Sequence, residues 1–580
     1  MTIRFSVCVA VSIGSTCVLL PSDATHAQPA FNTVALSGEP APGVSDGAVF
    51  SGFINAFSVG DGPALNASGD VAFTSSLTTG PSGPPVTNDN FAAVFGPTSG
   101  AGSALGLIAR SDDPAPGVSD GAEFDFFVGT PSLNASGEVA FLAHLRTGPN
   151  GSTVSRFNDG AIFGPTPGDD SPLSLIARED DAAVGLSSNV RFSNLDAPVL
   201  NSAGDVSFVA FFDNQGRALY GPTSGPGSPL GPIFRSGDVA PGVSDGAVFN
   251  NFGFLPSINA SGDVAFEGFL ATGPMDFEND AAIFGPTSGA GSPPGVIVRS
   301  NEVAPGVSDG ATYLFSEGTP TINASGDVAF DAILQSGSGA DDAPDEYSFA
   351  VFGPTSGAGS PLGPIARSGD VAPGASDGAI FSTTSFGSPA LTASGDLAFV
   401  ASLSGGSAGF GEALFANVAG ELSLVVRESD AIDVLIPSTG LTETRTVDSI
   451  DFSNEGFSDS GQLAFGLRFT DGSEGIFTTV LAETIAGDYN GDGFVGQADL
   501  DLVLLNFGDA ILPAGLTNPA ALPSGAFDGQ IGQQELDGVL LNFGSGTGTI
   551  AANVAAVPEP GTLILVSLSG LALASRRRCR

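Results

Sequence analysis

The chain has 580 residues, with 62 acidic against 17 basic side chains and a formal net charge of −45 at pH 7. Such a charge repels phosphate backbones and anionic lipid, which argues against nucleic-acid partners and membrane-surface binding. The length is too great for one ordinary domain unless the chain is a repeat array.

Residues 1–27 have the features of a secretory signal peptide. Arg4 precedes an apolar run from Phe5 to Leu20, and Thr-His-Ala stands before Gln28. This is a charged start, an apolar centre and a small-residue cleavage site. A transmembrane anchor is the alternative, but the run is short for a span. Export is therefore predicted, with cleavage before Gln28.

Residues 28–483 form an array of repeats. The stretch Leu65–Phe73, Leu-Asn-Ala-Ser-Gly-Asp-Val-Ala-Phe, returns six times in close or looser form. Its glycines are spaced 58 to 69 residues apart, at Gly69, Gly137, Gly204, Gly262, Gly326, Gly395 and Gly461. Each repeat contains four short apolar, β-rich segments bounded by turn residues, which is typical of strands. Four strands per repeat fit a β-propeller blade, so we predict an all-β fold.

The number of strands predicts a closed ring of seven blades. The strand that ends in arginine occurs six times, and its seventh copy stands at the front of the chain, at Asn32–Ser37. An N-terminal strand that completes the last blade explains this order, whereas an open solenoid needs capping repeats instead. An open β-solenoid or stacked β-sandwiches are the alternative folds. The repeat resembles the bacterial NxxGxxAF tandem-repeat family of surface proteins, a likeness that implies no mechanism.

Residues 484–548 contain a candidate calcium loop. Oxygen donors and a glycine occupy the spacing of a twelve-residue calcium loop, at Asp488, Asn490, Asp492, Gly493, Phe494 (backbone carbonyl) and Asp499. An Asp/Gly turn that binds nothing is the alternative. The loop is followed by a predicted helix, Leu500–Phe507, and resembles dockerin type I modules. That resemblance implies a small α-helical, EF-hand-like module that binds Ca²⁺.

A second copy of the loop has lost its early ligands. Ser524 and Ala526 stand at positions 1 and 3, and Glu535 stands at position 12. We therefore expect weak or no calcium binding there. With one damaged copy, a calcium-stiffened spacer is at least as plausible an interpretation as docking to a cohesin.

Residues 549–580 form a linker and a predicted sorting tail. Pro558, Glu559 and Pro560 precede an apolar run, Leu563–Ala574, and an arginine cluster. This order resembles the PEP-CTERM sorting signal. The resemblance implies an exosortase-type sorting transpeptidase as partner, transient membrane contact through the tail, and delivery to the cell envelope, cell surface or extracellular matrix.

Catalysis finds little support in the sequence. After signal removal the one histidine is His144, interpreted as a structural residue within a strand, and no cysteine remains in the array. The variable loops Thr79–Asn90, Thr147–Asp159 and Ser336–Ser348 share one face of the predicted propeller, as binding loops or as solvated surface. We therefore expect an exported, non-catalytic repeat protein that contacts polysaccharide or a surface protein. The alternative is a carbohydrate-active enzyme, or a glycan- or protein-binding accessory in polysaccharide breakdown.

Overall fold

The computed structural model describes two units of the chain. The first unit is described over residues 29–481, except 54–61, 82, 150, 152, 167–172, 214–215, 254, 272–279, 317, 336–346, 376 and 407–408. The second unit is described at residues 489, 495–507, 531 and 533–542. Within these residues no helix is both long enough and apolar enough to cross a membrane.

The short β-rich segments of the repeats form seven antiparallel sheets, one for each repeat. Blade 1 contains β2 (Val49–Gly52), β3 (Ala64–Leu65), β4 (Val71–Thr78), β5 (Ala92–Pro97) and β6 (Leu105–Arg110). Blade 2 contains β7 (Glu123–Leu133), β8 (Val139–Arg146), β9 (Gly160–Gly164) and β10 (Ser174–Arg178). Blade 3 contains β11 (Phe192–Leu195), β12 (Val199–Leu200), β13 (Val206–Phe212), β14 (Arg217–Pro222) and β15 (Leu230–Arg235).

Blades 4 to 6 repeat this plan. Blade 4 contains β16 (Val248–Phe252), β17 (Ser257–Ile258), β18 (Val264–Ala271), β19 (Ala281–Pro286) and β20 (Pro294–Arg299). Blade 5 contains β21 (Thr312–Phe315), β22 (Thr321–Ile322), β23 (Val328–Gln335), β24 (Tyr347–Pro354) and β25 (Leu362–Arg367). Blade 6 contains β26 (Ile380–Phe386), β27 (Ala390–Leu391), β28 (Leu397–Ser404), β29 (Gly411–Val418) and β30 (Glu421–Arg427).

Blade 7 is assembled from both ends of the array. It contains β31 (Ala431–Ile436), β32 (Leu441–Asp451), β33 (Gln462–Phe469), β34 (Glu474–Val480) and, from the N-terminal end, β1 (Asn32–Leu36). β1 pairs antiparallel with β34, with Asn32 opposite Thr478 and Leu36 opposite Gly475. The predicted all-β, seven-bladed propeller and its closure by the N-terminal strand are thus confirmed.

The innermost strands hold the ring together around its axis. The short strands β3, β12, β17, β22 and β27 and the end of β7 contact one another from blade to blade. At the seam, the Leu65 N–H donates to the Glu455 carbonyl at 2.9 Å, and the Ser453 hydroxyl donates to the Pro63 carbonyl at 2.8 Å. Blade 7 therefore contacts blade 1 along the axis as well as through β1.

The recurrent asparagines link neighbouring blades. The Asn66 carboxamide donates to the Asn134 carbonyl at 3.1 Å, and its oxygen accepts the backbone N–H groups of Ser68 and Asp70. The same amide-to-carbonyl bond continues round the ring from Asn134 to Asn201, Asn201 to Asn259, Asn259 to Asn323, and Asn323 to Thr392. These side chains cap their own turns, as expected of asparagine, and also tie the blades together.

Stacked aromatic pairs fill the core of every blade. Each pair joins rings on two long neighbouring strands of a blade, as β4 and β5 in blade 1, with centroids 5.2 to 6.3 Å apart. The pairs are Phe73–Phe95, Phe141–Phe163, Phe208–Tyr220, Phe266–Phe284, Phe330–Phe352, Phe399–Phe415 and Phe465–Phe477. Cross-strand aromatic pairs stabilise antiparallel sheets, which explains the heavy use of phenylalanine.

A hairpin replaces the inter-blade linker in front of blade 7. β31 alternates buried and exposed side chains, and Ile432, Val434 and Ile436 share a core cluster with Leu36 of β1. The Glu39 carboxylate accepts bonds from the backbone and the hydroxyl of Ser438 at the hairpin tip. The closing strand is therefore held by β34 and also packed against β31, which the sequence did not predict.

The second unit contains two short helices, α1 (Gln497–Leu505) and α2 (Gln533–Asn542), which contact each other. Tyr489, Val495, Val503, Ile531 and Val539 form its small buried core. In the part of this unit that the structure describes, the predicted helical module consists of these two helices alone. A dockerin or EF-hand module is not shown.

Candidate functional site

One glutamate in blade 2 departs from the repeat pattern. In five other blades a serine follows the outermost strand and accepts the N–H of a residue at or near the start of the neighbouring strand, through Ser37, Ser111, Ser236, Ser300 and Ser368, and in blade 6 the position is Glu428. In blade 2 this position is Glu179, whose Oε2 accepts the Gly160 N–H at 3.0 Å. A Cβ on Gly160 would lie 2.8 Å from the Glu179 carboxyl carbon, so the glycine makes room for the larger acid.

His144 and Asp159 lie beside this glutamate. The Asp159 Oδ2 is 3.3 Å from the His144 Nδ1, and the imidazole side chain is 30% exposed. The Phe126 ring stacks on the imidazole with centroids 4.4 Å apart and an interplanar angle of 11°. These contacts fix the plane of the imidazole while leaving part of it open to solvent.

The charges of the three groups are coupled. Burial raises the pKa of the Glu179 carboxyl above its usual range, and the neighbouring Asp159 carboxylate raises that pKa further through its charge and a hydrogen bond. Glu179, Asp159 and His144 therefore form a chain from a buried acid to a solvent-exposed imidazole. We call these three residues the blade 2 triad. A histidine paired with a carboxylate in this way can accept and donate a proton.

An arginine lies on the same face of β8 as the imidazole. Side chains two residues apart on a strand share a face, which places Arg146 beside His144. Its Nη1 is 2.9 Å from Asp89, its Nη2 is 3.6 Å from Glu123, and Nη2 also contacts Asp112.

Aromatic surface is exposed next to the triad. Phe126 is 41% exposed and Phe157 66%, and the Arg156 guanidinium lies 4.8 Å from the centroid of the Phe157 ring. Exposed aromatic faces with a few polar groups nearby are common features of ligand sites. Asp89, Asp159 and Asp280, in the loops before β5, β9 and β19, contact Arg146, His144 and Arg299.

Other perturbed acids lie at blade junctions. The Glu267 Oε1 accepts the Ser316 N–H at 2.9 Å and the Tyr313 hydroxyl at 3.3 Å, and burial raises the pKa of Glu267 to about 7. The Glu455 carboxylate accepts the Ser132 hydroxyl at 2.7 Å and the Leu133 N–H at 3.2 Å, and burial raises its pKa to about 7. Both acids are bonded across blades, so we interpret them as structural.

The sequence did not identify the blade 2 triad. The sequence predicts His144 as structural, because the residues beside a lone histidine in a strand do not indicate which side chains will contact it. Only the contacts between strands bring Asp159 and Glu179 to it. The available signal was the departure from the repeat, with glutamate in place of serine at 179 and glycine at 160.

The predicted calcium loop is described at one ligand position. The Asp499 side chain is buried, its Oδ1 accepts the Tyr489 N–H at 2.8 Å, and its Oδ2 accepts the Gly496 N–H at 2.9 Å. Asp488, Asn490, Asp492 and Phe494 lie outside the described residues, as do Ser524, Ala526 and the side chain of Glu535. Within the described residues no group of three or more His, Cys, Asp or Glu side chains is placed to hold a metal ion. Pro558, Glu559 and Pro560 of the sorting signal also lie outside the described residues.

Comparison with protein families assigns both the array and the tail. Residues 24–483 match the family of unknown function DUF7453. The chain belongs to the DUF7453 family. Residues 556–578 of this DUF7453 protein match the PEP-CTERM protein-sorting motif, which confirms the predicted sorting signal and supports export. These matches do not show the NxxGxxAF family or a dockerin module, and no curated protein matches the chain.

The solved structures that resemble this DUF7453 protein include polysaccharide lyases. The crystal structure of the polysaccharide lyase Uly1 has a TM-score of 0.37 and 10% identity, and the match covers 78% of this chain and 99% of that one. A PL25 ulvan lyase has a TM-score of 0.34 and 10% identity, with 77% and 96% of the two chains covered. The named neighbours are enzymes, so the expectation of a non-catalytic protein is corrected and not kept. At 10% identity the likeness is one of fold, so any specific activity must be argued from the chain's own side chains.

Proposed function

We propose that the propeller is an exported carbohydrate-active enzyme that cleaves an extracellular polysaccharide, with His144 as its proton-transfer group. The observation that carries the proposal is the blade 2 triad. In the triad the His144 Nδ1 is 3.3 Å from the Asp159 Oδ2, and Asp159 in turn interacts with the buried Glu179. Glu179 and Gly160 depart from the serine and the larger residue that most other blades have at these positions.

Each triad member has a separate task in the proposed reaction. Cleavage of a glycosidic linkage needs a group that takes or gives a proton at working pH, and histidine is suited to that task. With Nδ1 donating to Asp159, the Nε2 lone pair of His144 faces the substrate and accepts a proton. The Asp159 carboxylate stabilises the imidazolium that results, and the Phe126 ring keeps the imidazole in position.

The substrate lies across aromatic surface in this proposal. Phe126, which stacks on the imidazole, and Phe157, in the loop that ends at Asp159, both expose part of their rings. Sugar rings can pack on such faces, while the triad acts at the linkage between two sugars. The PEP-CTERM signal supports a location where extracellular polysaccharide is present.

Polysaccharide cleavage by the secreted protein and its His144→Ala variant tests the proposal. Reducing ends should appear with the wild type, and the variant should lose about 10²–10⁴-fold of the rate, the usual contribution of an acid–base group. Phe269 occupies the equivalent place in blade 4, opposite Ala281 as His144 is opposite Gly160, so Phe269→Ala is the matched control. Full activity in His144→Ala would contradict the assignment.

We also propose that the loop from Asp488 to Asp499 binds one calcium ion. Asp499, the predicted last ligand, is already held by N–H groups from both ends of the loop, at Tyr489 and Gly496. Its oxygens suit Ca²⁺, which would be a structural ion of the second unit with no part in cleavage.

A further inference from the structure

The charge around the blade 2 triad restricts the substrate. Arg146 is the cation nearest along the strand to His144, and three carboxylates contact it, those of Asp89, Asp112 and Glu123. The guanidinium is therefore more than neutralised before any substrate arrives. Asp89 is 70% and Asp112 54% exposed at the side chain, so both face the solvent from which a glycan would approach.

Asp112 is held in an unfavourable backbone conformation. Its φ is 78°, at a position where three other repeats have glycine (Gly38, Gly237 and Gly369) and three have Asp180, Asn301 or Ser429, also with positive φ. Glycine adopts this region without a steric penalty, whereas aspartate tolerates it at a cost. The Asp112 carboxylate contacts Arg146 and adds negative charge beside it.

Neighbouring arginines offer little to an anion. Arg110 is 2.7 Å from Asp46 and Arg178 is 2.7 Å from Asp120, so both are already paired with carboxylates. Arg156 lies over the Phe157 ring, and among the described residues it is the one cation of these two blades without a carboxylate within 4.0 Å. In these two blades, one arginine without a carboxylate partner thus stands against the three carboxylates that contact Arg146.

We infer that the polysaccharide cleaved at His144 carries no carboxylate or sulfate groups, and that glycans with free amino groups are preferred over neutral ones. The inference rests on the proposed function and adds the substrate class. A uronate or sulfate would be repelled by Asp89 and Asp112, whereas an ammonium group would be attracted to them.

This substrate class also selects the reaction. Elimination requires a carboxyl group beside the proton that is removed, and a glycan without acidic groups cannot supply it. The linkage is therefore hydrolysed. The oxygen of water bonds to the anomeric carbon, the bond from that carbon to the departing sugar breaks, and the two protons of water end on the two new hydroxyl groups.

Initial rates on chitosan, a neutral β-glucan, a polyuronate and a sulfated glycan test the inference. Reducing ends and the ultraviolet absorbance of unsaturated products are both recorded. Chitosan should give the highest kcat/KM, the neutral glucan a lower value, the anionic glycans none, and no unsaturated product should form. Added salt should raise the KM for chitosan and leave that for the glucan unchanged, because salt screens exposed charges.

Two substitutions separate charge from structure. Asp89→Asn and Asp112→Asn should each raise the KM for chitosan about two- to fivefold, the size of an exposed charge interaction, and should raise the KM for the neutral glucan less. Asparagine tolerates the left-handed conformation at 112 as well as aspartate does. Asp433→Asn, in the exposed face of β31 in blade 7, is the control.

The outcomes distinguish the inference from the function on which it rests. Faster cleavage of an anionic glycan, with loss of that activity in His144→Ala, would overturn the substrate class and leave the enzyme proposal intact. Equal kcat/KM values on chitosan before and after Asp89→Asn and Asp112→Asn would also overturn it. Cleavage of none of the four glycans would overturn both.

Discussion

Glu179 illustrates how one residue can depart from a repeat without disturbing it. The carboxylate accepts the N–H that a serine hydroxyl accepts in other blades, so the backbone bond is kept. Gly160 gives up its side chain to make space, and the exchange brings an acid of raised pKa next to Asp159. In blade 2 the absence of a side chain at Gly160 leaves the space that the Glu179 carboxylate occupies.

Restoring the repeat at this pair should separate stability from activity. Gly160→Ala alone places a methyl group 2.8 Å from the Glu179 carboxyl carbon and should lower both the Tm and the rate of cleavage. Adding Glu179→Ser reproduces the Ala92–Ser111 pair of blade 1 and should return the Tm to within a few degrees of the wild type, while the rate stays low. Thermal melts and reducing-end assays of the three proteins give the comparison. A double variant as active as the wild type would remove Glu179 from the triad.

Glu267 should make stability depend on pH. Burial, together with the nearby Asp331 charge, raises its pKa from 4.5 to about 7 in the folded protein. Below about pH 4.5 the group is protonated in both states, and its contribution to stability is complete. Between about pH 4.5 and 7 the unfolded chain releases the proton first, so the free energy of unfolding falls as pH rises, by on the order of 3 kcal/mol.

Urea unfolding between pH 4.5 and 8 measures this effect. Glu267→Gln stays neutral at every pH, so its stability should decline less over this range than that of the wild type. Glu302→Gln, at an exposed position, is the control and should follow the wild type. Parallel curves for the wild type and Glu267→Gln would show that Glu267 ionises normally in the folded protein.

At the scale of elements, the hairpin β31–β32 compensates for a weakness of ring closure. A five-residue closing strand forms few backbone bonds, and an N-terminal strand is prone to fraying. β31 places Ile432, Val434 and Ile436 in the core cluster that includes Leu36, while Ser438 at the tip bonds to Glu39. Closure thus depends on side-chain packing as well as on the β1–β34 pairing.

Truncating the buried side chain of the closing strand should loosen the ring. Leu36→Ala removes a buried leucine and should cost about 2–5 kcal/mol, the usual range for a core leucine. Leu441→Ala, in the β31–β32 hairpin that packs on β1 but 64% exposed, should change stability by less than about 0.5 kcal/mol. Chemical unfolding of both variants provides the values, and equal losses would show that β31 does not hold the strand.

The second unit should respond to calcium independently of the propeller. Three carboxylates in the loop Asp488–Asp499 repel one another without a cation, so a chelator should lower the melting temperature of residues 484–548 and leave that of the propeller unchanged. Asp492→Ala should reproduce the effect of the chelator, whereas Asp528→Ala, its counterpart in the second copy, should do almost nothing. Calorimetric titration should show one site. Two equivalent sites, or no heat at millimolar calcium, would rule out this interpretation of the loop.

At the scale of the molecule, the sequence was sufficient to predict the ring and insufficient to predict the site. Strand number and order predicted seven blades and closure at Asn32–Ser37, where the structure has β1 (Asn32–Leu36), because each repeat carries its own turn and strand signals. The blade 2 triad depends on which residues face each other between strands, as His144 and Gly160 do, and a linear pattern does not specify that. The hairpin before blade 7 was missed because residues 431–451 lack the linker motif of the other repeats.

Closure by β1 has a consequence for the order of assembly. Strand β1 is synthesised before the other strands of the propeller, yet its partner β34 does not begin until Glu474. Until then β1 lacks the strand with which it pairs, and an unpaired strand edge is a template for pairing with other chains. The ring therefore stays open until the whole array has been synthesised, and the last blade can form only then. Any chaperone that attends this protein during export should bind near its N-terminus and leave when residue 480 arrives.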